Sequence, residues 1–201
     1  MEKIVRNNSG LDIGTRLIHL GLILFGLSAW LTGDLAEEVE EAVTAGVSGY
    51  DVHSWLGLAL AAVVSLRILY GLVGPKNIRF SSWFPVTAER LAAVWIDLRS
   101  MLLLKIPDGP LHHGLGGLVQ ACGLLLFAWM GATGTYLYFN LIPGTEPSGV
   151  VDLVEELHEV GEELIPIYLV LHVGAVLLHA LAGRHKWRKM IFLSQNDDRD
   201  A

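Results

Sequence analysis

Two histidines in the C-terminal third of the chain, His158 and His172, stand 14 positions apart in a largely apolar stretch. On an α-helix this spacing is about 21 Å along the axis and returns to within roughly 40° of the same face. A neutral imidazole is a good ligand for a transition metal, and a polar side chain inside an apolar helix needs such a partner. His19 and His53 stand in or at the edge of two other apolar stretches. The four residues therefore suggest metal ligation at two depths.

The stretches that carry these histidines are long and apolar enough to cross a membrane. The 201-residue chain is 52% hydrophobic, its mean hydropathy is +0.48, and about 20 helical residues cross roughly 30 Å of hydrocarbon. The sequence lacks the short alternating segments of a membrane barrel, so helices are the expected way across. It predicts a single all-α membrane domain over residues 1–201, a four-helix bundle with spans near 13–32, 53–73, 114–141 and 164–183.

Apart from Arg67, which falls within the second span, the basic residues lie on one side of this predicted bundle. They precede the first span, occupy the connection between the second and third spans, and follow the fourth, whereas the other two connections contain no Lys or Arg. By the positive-inside rule, both termini and the long middle connection are cytoplasmic, in a bacterial inner membrane. The middle connection contains LAAVWIDLRSMLLLK, which is too short and too charged for a fifth span. It predicts an interfacial helix with Thr87 as its cap.

The predicted directions of the helices sort the histidines by depth. His19 and His172 belong to the inner level, and His53 and His158 to the outer level. Paired imidazoles from facing helices suit bis-histidine haem b, and the chain has no C-x-x-C-H motif for covalent haem attachment. Zinc is a weaker candidate, because structural zinc sites gather their ligands at one depth and often use cysteine. Cys122 is the only cysteine.

Other polar residues and small residues bear on these sites. His179, two turns beyond His172, is an alternative inner ligand by depth. Arg67 follows His53 by 14 residues, so it belongs to the inner level on nearly the same face. An intramembrane arginine needs an anion or a polar cavity, which a haem propionate or a quinone site would supply; the alternative is snorkelling to the cytoplasmic surface. Four glycines would let helices approach a porphyrin or each other closely: Gly14, Gly21, Gly57 and Gly174.

The two outer connections are acidic. Six acidic residues lie between Asp34 and Asp51, and seven more between Glu146 and Glu163. One interpretation is a solvent-exposed face that is acidic only because the positive-inside rule keeps Lys and Arg out of outer connections. The other is an electrostatic docking surface for a basic external partner. The spacing of Leu35, Val39 and Val43 predicts a short surface helix in the first connection. A net charge of −7 argues against nucleic-acid binding.

Four segments of the chain resemble the bacterial cytochrome b561 family, which includes the b-type cytochrome subunits of nickel–iron hydrogenases. They begin GTRLIHLG, YDVHSWLG, HHGLGG and ELHEVGEE, and the resemblance covers essentially the whole chain. The most specific elements are the H-x13-H of the fourth helix and the R-x-x-Y-G-x-x-G-P that ends the second. The resemblance implies that His19 pairs with His172 and His53 with His158 on two haems. It also selects His172 over His179.

The histidine pattern and the resemblance together predict a membrane-integral di-haem b cytochrome. It would transfer electrons between a periplasmic redox partner, of the hydrogenase or cytochrome c type, and the membrane quinone pool. Arg67 would balance the charge of haem propionates. A second hypothesis is a stand-alone oxidoreductase that passes electrons from a small reductant such as superoxide to quinone. Turnover with quinone by the purified chain alone would favour this second hypothesis.

Overall fold

The protein is described by a computed structural model that covers residues 11–34, 49–103, 105–107, 113–142 and 145–190. It is an all-α bundle, as predicted. Four helices are long and apolar enough to cross a membrane: α1 (Ile13–Leu31), α2 (Gly49–Val73), α5 (Gly114–Asn140) and α6 (Val150–Leu181). Two shorter helices, α3 (Phe80–Trp83) and α4 (Ala88–Leu102), lie between α2 and α5, and a 3-10 helix, Lys186–Lys189, follows α6. The surface helix predicted around Leu35–Val43 lies outside the described residues.

The fourth spanning helix is longer than its apolar stretch. It begins at Val150, whereas the apolar stretch begins near residue 164, and it continues without interruption for 32 residues. His158 and His172 therefore lie on one helix, and the axial distance between them is set by that helix alone. Pro166 lies inside α6, where its missing amide removes one hydrogen bond from the helical ladder.

The spanning helices pack in sequence order through small residues. α1 contacts α2, α2 contacts α5, and α5 contacts α6. A Cβ atom added at Gly21 would lie 3.1 Å from Val63, and one added at Gly131 would lie 3.2 Å from the Cα of Ala61. Close backbone approach of this kind is how helices associate in lipid, where burial of apolar surface gives little driving force.

The outside of the bundle is largely apolar. Leu126, Met130 and Ile165 form a small buried cluster between α5 and α6. In contrast, Leu24 on α1 is 56% exposed and Leu69 on α2 is 57% exposed. An apolar surface of this extent would promote aggregation in water, and a bilayer would cover it.

The predicted interfacial helix is present as α4. Its N-cap is Thr87, as predicted, and the Thr87 hydroxyl accepts a hydrogen bond from the amide of Arg90 at 3.4 Å. One face of the helix exposes apolar side chains at helical spacing: Leu91, Trp95, Leu98 and Leu102. This amphipathic pattern is typical of a helix that lies at a membrane surface.

The middle connection is tied to the inner end of the bundle at several points. The carboxylate of Asp97 on α4 accepts a hydrogen bond from the amide of Leu115, at the start of α5, over 2.9 Å. Trp83 of α3 is buried, and its indole Nε1 donates to the carbonyl of Ile78 at 3.0 Å. The rings of Phe80 and Trp83 lie 5.5 Å and 5.6 Å from the guanidinium carbon of Arg67, so α3 packs against the inner half of α2.

Candidate functional site

The outer histidines lie opposite each other, His53 on α2 and His158 on α6. The ring centroids of His53 and His158 are 6.2 Å apart, and the ring planes are nearly perpendicular, at 89°. Two imidazoles on opposite sides of one iron ion, with metal–nitrogen bonds of about 2 Å, place their centroids about 6 Å apart. The spacing therefore matches a metal ion held between the two rings.

The hydrogen bonds of the outer pair identify which ring nitrogen is available to a metal. His53 Nδ1 lies 3.0 Å from the carbonyl oxygen of Ala29, which can only accept, so Nδ1 carries the proton. His158 Nδ1 lies 2.8 Å from the hydroxyl oxygen of Thr133. That hydroxyl can donate to the carbonyl of Trp129 at 2.9 Å, and it accepts from His158 when Nδ1 of His158 carries the proton. Both Nε2 atoms are then unprotonated, as metal-binding nitrogens must be.

The inner histidines also form a pair. The ring centroids of His19 and His172 are 6.5 Å apart, and the planes are inclined at 53°. Tyr168, one turn outward on α6, stacks on His172 with a centroid distance of 5.5 Å and an interplanar angle of 17°. Phe127 packs edge-on against Tyr168 at 6.0 Å. The plane of the His172 ring is thus held by an aromatic stack that the sequence analysis did not anticipate.

Glycines shape the space around both pairs. A Cβ atom at Gly134 would lie 3.0 Å from His158 Cε1, so a glycine is what lets this imidazole lie against α5. A Cβ atom at Gly57 or Gly174 would meet nothing within 4 Å, so each of these two glycines adjoins open space. Gly14 and Gly21, in contrast, lie at contacts between α1 and α2. Of the four predicted glycines, two leave room beside a helix and two bring helices together.

Arg67 is buried at the depth of the inner pair. Gly14 packs against Tyr70 and Gly21 packs against Val63, which aligns Arg67 of α2 with His19 of α1. The side chain is only 7% exposed, and its Nη1 atom is buried without a hydrogen-bond partner among the described residues. The guanidinium carbon lies 5.5 Å from the ring centroid of Phe80 and 5.6 Å from that of Trp83. This position contradicts the snorkelling alternative and leaves one buried donor for an anion or a carbonyl oxygen.

A carboxylate lies at the inner end of α1. Asp12 is the N-cap, and it accepts hydrogen bonds from the Thr15 amide at 3.0 Å, the Thr15 hydroxyl at 2.8 Å and the Tyr70 hydroxyl at 2.6 Å. Burial raises the pKa of this carboxyl, but the hydrogen bonds from Tyr70 and Thr15 outweigh burial and hold the pKa below its ordinary value of 3.8. The charged carboxylate interacts electrostatically with Arg67. The D-x-x-T capping pattern could have identified Asp12, but its contact with α2 could not be read from the sequence.

The remaining candidate residues are dispersed. His113 and His185 are exposed, and His112 lies outside the described residues. His179 lies on α6, two turns inward of His172. The acidic residues predicted in the first outer connection lie largely outside the described residues, whereas Asp152, Glu156 and Glu159 are exposed on the outer part of α6.

The donor set favours a cofactor that brings ligands of its own. Within the described ranges, no group of three or more His, Cys, Asp or Glu side chains is placed to hold a metal ion. Each histidine pair therefore offers two imidazole nitrogens, whereas a structural zinc site needs four protein ligands. A porphyrin supplies four nitrogens and leaves two axial positions, which one pair would complete.

Four membrane-length helices, with imidazoles paired at two levels, define a multi-pass membrane protein. The chain belongs to the prokaryotic cytochrome b561 family, which matches residues 10–193. The match confirms the resemblance seen in the sequence. The chain matches no curated protein and no solved structure. Family membership makes it a membrane b-type cytochrome that binds haem and acts in electron transfer.

Proposed function

We propose that the chain binds two b haems, the inner one through His19 and His172 and the outer one through His53 and His158. The observation that carries this proposal is the pairing of all four imidazoles, with centroid separations of 6.5 Å and 6.2 Å. The unprotonated Nε2 atoms inferred for the outer pair support ligation by these nitrogens. Bound haem would supply a reversible one-electron centre at each level.

The side chains around the proposed ligands hold and insulate them. Thr133 and the carbonyl of Ala29 fix the rings of the outer pair, and Tyr168 fixes the ring of His172. We propose that Arg67 donates from its buried Nη1 to a propionate of the inner haem, since an intramembrane guanidinium needs an anion. Leu126, Met130 and Ile165 form an apolar cluster between α5 and α6, and Tyr168 packs against it.

The complete path would run from the outer aqueous phase to the quinone pool. The acidic outer residues would form a docking surface for a basic periplasmic redox protein, such as a hydrogenase subunit or a cytochrome c. Electrons would then pass from the outer level to the inner level and on to a membrane quinone. The distribution of basic residues supports cytoplasmic termini in a bacterial inner membrane.

A haem count on ligand variants tests this proposal. The pyridine haemochrome assay on purified protein should give two b haems per chain. His172→Ala should retain about one haem, because losing an axial nitrogen empties one level and leaves the other intact. His179→Ala, two turns away on the same helix, is the matched control and should retain both haems. One haem in the unaltered chain, or haem loss in His179→Ala alone, would contradict the assignment.

A further inference from the structure

A layer of apolar side chains lies between the two histidine pairs, inside the bundle. Phe127 reaches from α5 to α1 and α2, because a Cβ atom on Gly26 would lie 3.1 Å from Phe127 Cε1 and 3.6 Å from Leu60 Cδ1. Leu60 is only 4% exposed. Tyr168 of α6 packs edge-on against Phe127, with ring centroids 6.0 Å apart and planes at 88°. All four spanning helices therefore contribute a residue to this layer.

The rise of an α-helix places the layer at a depth between the two levels. Along α6 the levels are about 21 Å apart. Gly26 lies seven residues, about 10 Å, outward of His19 on α1. Phe127 lies six residues, about 9 Å, inward of Thr133, the α5 residue that contacts His158. The two helices thus place the layer close to midway between the pairs.

Tyr168 connects the layer to the inner pair. It lies four residues, about 6 Å, outward of His172, and its ring is nearly parallel to the imidazole, with centroids 5.5 Å apart and an angle of 17°. Its phenolic end lies against α5, because a Cβ atom on Gly123 would collide with it. The rings of Phe127, Tyr168 and His172 therefore form a continuous aromatic path from the middle of the bundle to an inner ligand.

Met130 continues the packing towards the outer pair. It lies three residues outward of Phe127 on α5 and is only 8% exposed. Its sulfur lies against α6, because a Cβ atom on Gly161 would collide with Sδ. Gly161 in turn lies three residues inward of His158. Closely packed side chains thus follow one another from the outer ligand to the inner one.

We propose that Phe127 and Tyr168 bridge the two levels and carry electron tunnelling from the outer haem to the inner haem, an inference that rests on the proposed di-haem ligation. Tunnelling decays less through closely packed atoms than across gaps. The delocalised electrons of an aromatic ring also couple neighbouring groups better than a saturated side chain does. In this transfer one electron leaves the ferrous outer iron, which becomes ferric, and the ferric inner iron becomes ferrous. No bond forms or breaks, no proton moves, and neither ring is itself oxidised.

The test removes each ring while keeping an apolar side chain in its place. Phe127→Leu and Tyr168→Leu replace a ring by a branched aliphatic group. Tyr168→Phe keeps the ring and loses only the hydroxyl. Phe139→Leu is the matched control, because Phe139 lies on the same helix as Phe127 but is 74% exposed at the outer end. The haem content and both reduction potentials of every variant are measured first.

Flash photoreduction then separates arrival of the electron from its transfer between levels. A photoexcited tris-bipyridine ruthenium cation, regenerated by a sacrificial amine, donates one electron, and its positive charge favours the acidic outer face. The spectrum of His172→Ala, which should retain the outer haem alone, identifies the outer α-band. Transfer between the levels is the later phase, in which the outer band is reoxidised as the inner band is reduced.

Both leucine variants should slow this later phase severalfold while their potentials stay unchanged. Tyr168→Phe should restore most of the rate lost in Tyr168→Leu, and Phe139→Leu should behave as the unaltered protein does. If Phe127→Leu loses a haem, the comparison of Tyr168→Leu with Tyr168→Phe decides the question. Unchanged rates in the leucine variants, or slowing that a shifted potential accounts for, would overturn the bridge and leave the di-haem ligation standing. One haem in the unaltered protein would overturn both.

Discussion

Substitution of Thr133 tests whether its hydroxyl lowers the reduction potential at the outer level. The Thr133 hydroxyl lies 2.8 Å from His158 Nδ1 and can donate to the carbonyl of Trp129, so with the proposed ligation through Nε2 it accepts a hydrogen bond from Nδ1. Such a bond gives the imidazole partial imidazolate character, and this stabilises ferric over ferrous iron. Thr133→Val keeps the shape of the side chain but removes the acceptor, so the outer reduction potential should rise.

The size of the shift follows from the strength of one hydrogen bond. A typical intramolecular hydrogen bond contributes about 0.5–1.5 kcal/mol. If this bond acts mainly on the ferric state, the equivalent one-electron shift is about 20–60 mV, since tenfold in the equilibrium constant is about 59 mV. The inner potential should not move, because His172 lies roughly 21 Å from His158 along α6.

A dye-mediated redox titration, followed at the haem α-band, resolves the two potentials. Thr135→Val is the matched control, because Thr135 lies on the same helix and its hydroxyl donates to the carbonyl of Gly131 at 2.6 Å. The reasoning is refuted if Thr133→Val leaves both potentials unchanged. It is also refuted if the two valine variants shift the potentials alike, or if the inner potential is the one that moves.

Two further predictions concern the ends of the bundle. The carboxyl of Asp12 has a lower pKa in the folded protein than in the unfolded chain. Its contribution to stability is therefore fully present above the pKa of the unfolded chain and is lost as the pH falls through the pKa of the folded protein. The melting temperature in detergent should accordingly fall below about pH 4. Tyr70→Phe should cost about 1 kcal/mol at neutral pH and reduce that acid sensitivity, whereas an unchanged acid profile would exclude the Asp12–Tyr70 contact as its cause. On the outer side, neutralising the acids at positions 37, 38, 40 and 41 should slow reduction by a basic donor protein about tenfold at low salt and flatten its salt dependence. Equal rates across the salt series would exclude docking at that connection.

The sequence predicted the elements of this fold better than the contacts between them. Hydropathy and the placement of basic residues identified four spans, and Thr87 marked the start of α4 because it precedes an amphipathic pattern. The fourth span was predicted to begin near residue 164, whereas α6 begins at Val150, since acidic residues such as Glu156 and Glu159 lower hydropathy without interrupting a helix. Charged side chains on the surface of a helix do not break it. A hydropathy window therefore identifies the part of the helix that lies within the membrane, but not where the helix begins.

The depth of each histidine was predictable because a helix has a fixed rise per residue. The residues that hold the rings were not, since they come from neighbouring helices. Thr133 reaches His158 only because Gly134 lets α6 approach α5, and Phe80 covers Arg67 only because Gly71 leaves space on α2. Both contacts depend on the register between neighbouring helices. Small residues determine that register, and it cannot be read from a single sequence.

The two levels differ in the charge of their surroundings, and this difference predicts which level has the higher reduction potential. At the outer level the nearest polar partners are neutral acceptors, the carbonyl of Ala29 and the hydroxyl of Thr133, which favour the ferric state of a bound haem. At the inner level Arg67 is a buried cation, which offsets propionate charge and favours the ferrous state. With the proposed ligation, both effects make the inner potential higher than the outer one. Electron transfer from the outer level to the inner level is then downhill, and the titration that tests Thr133 measures this difference in the unaltered protein.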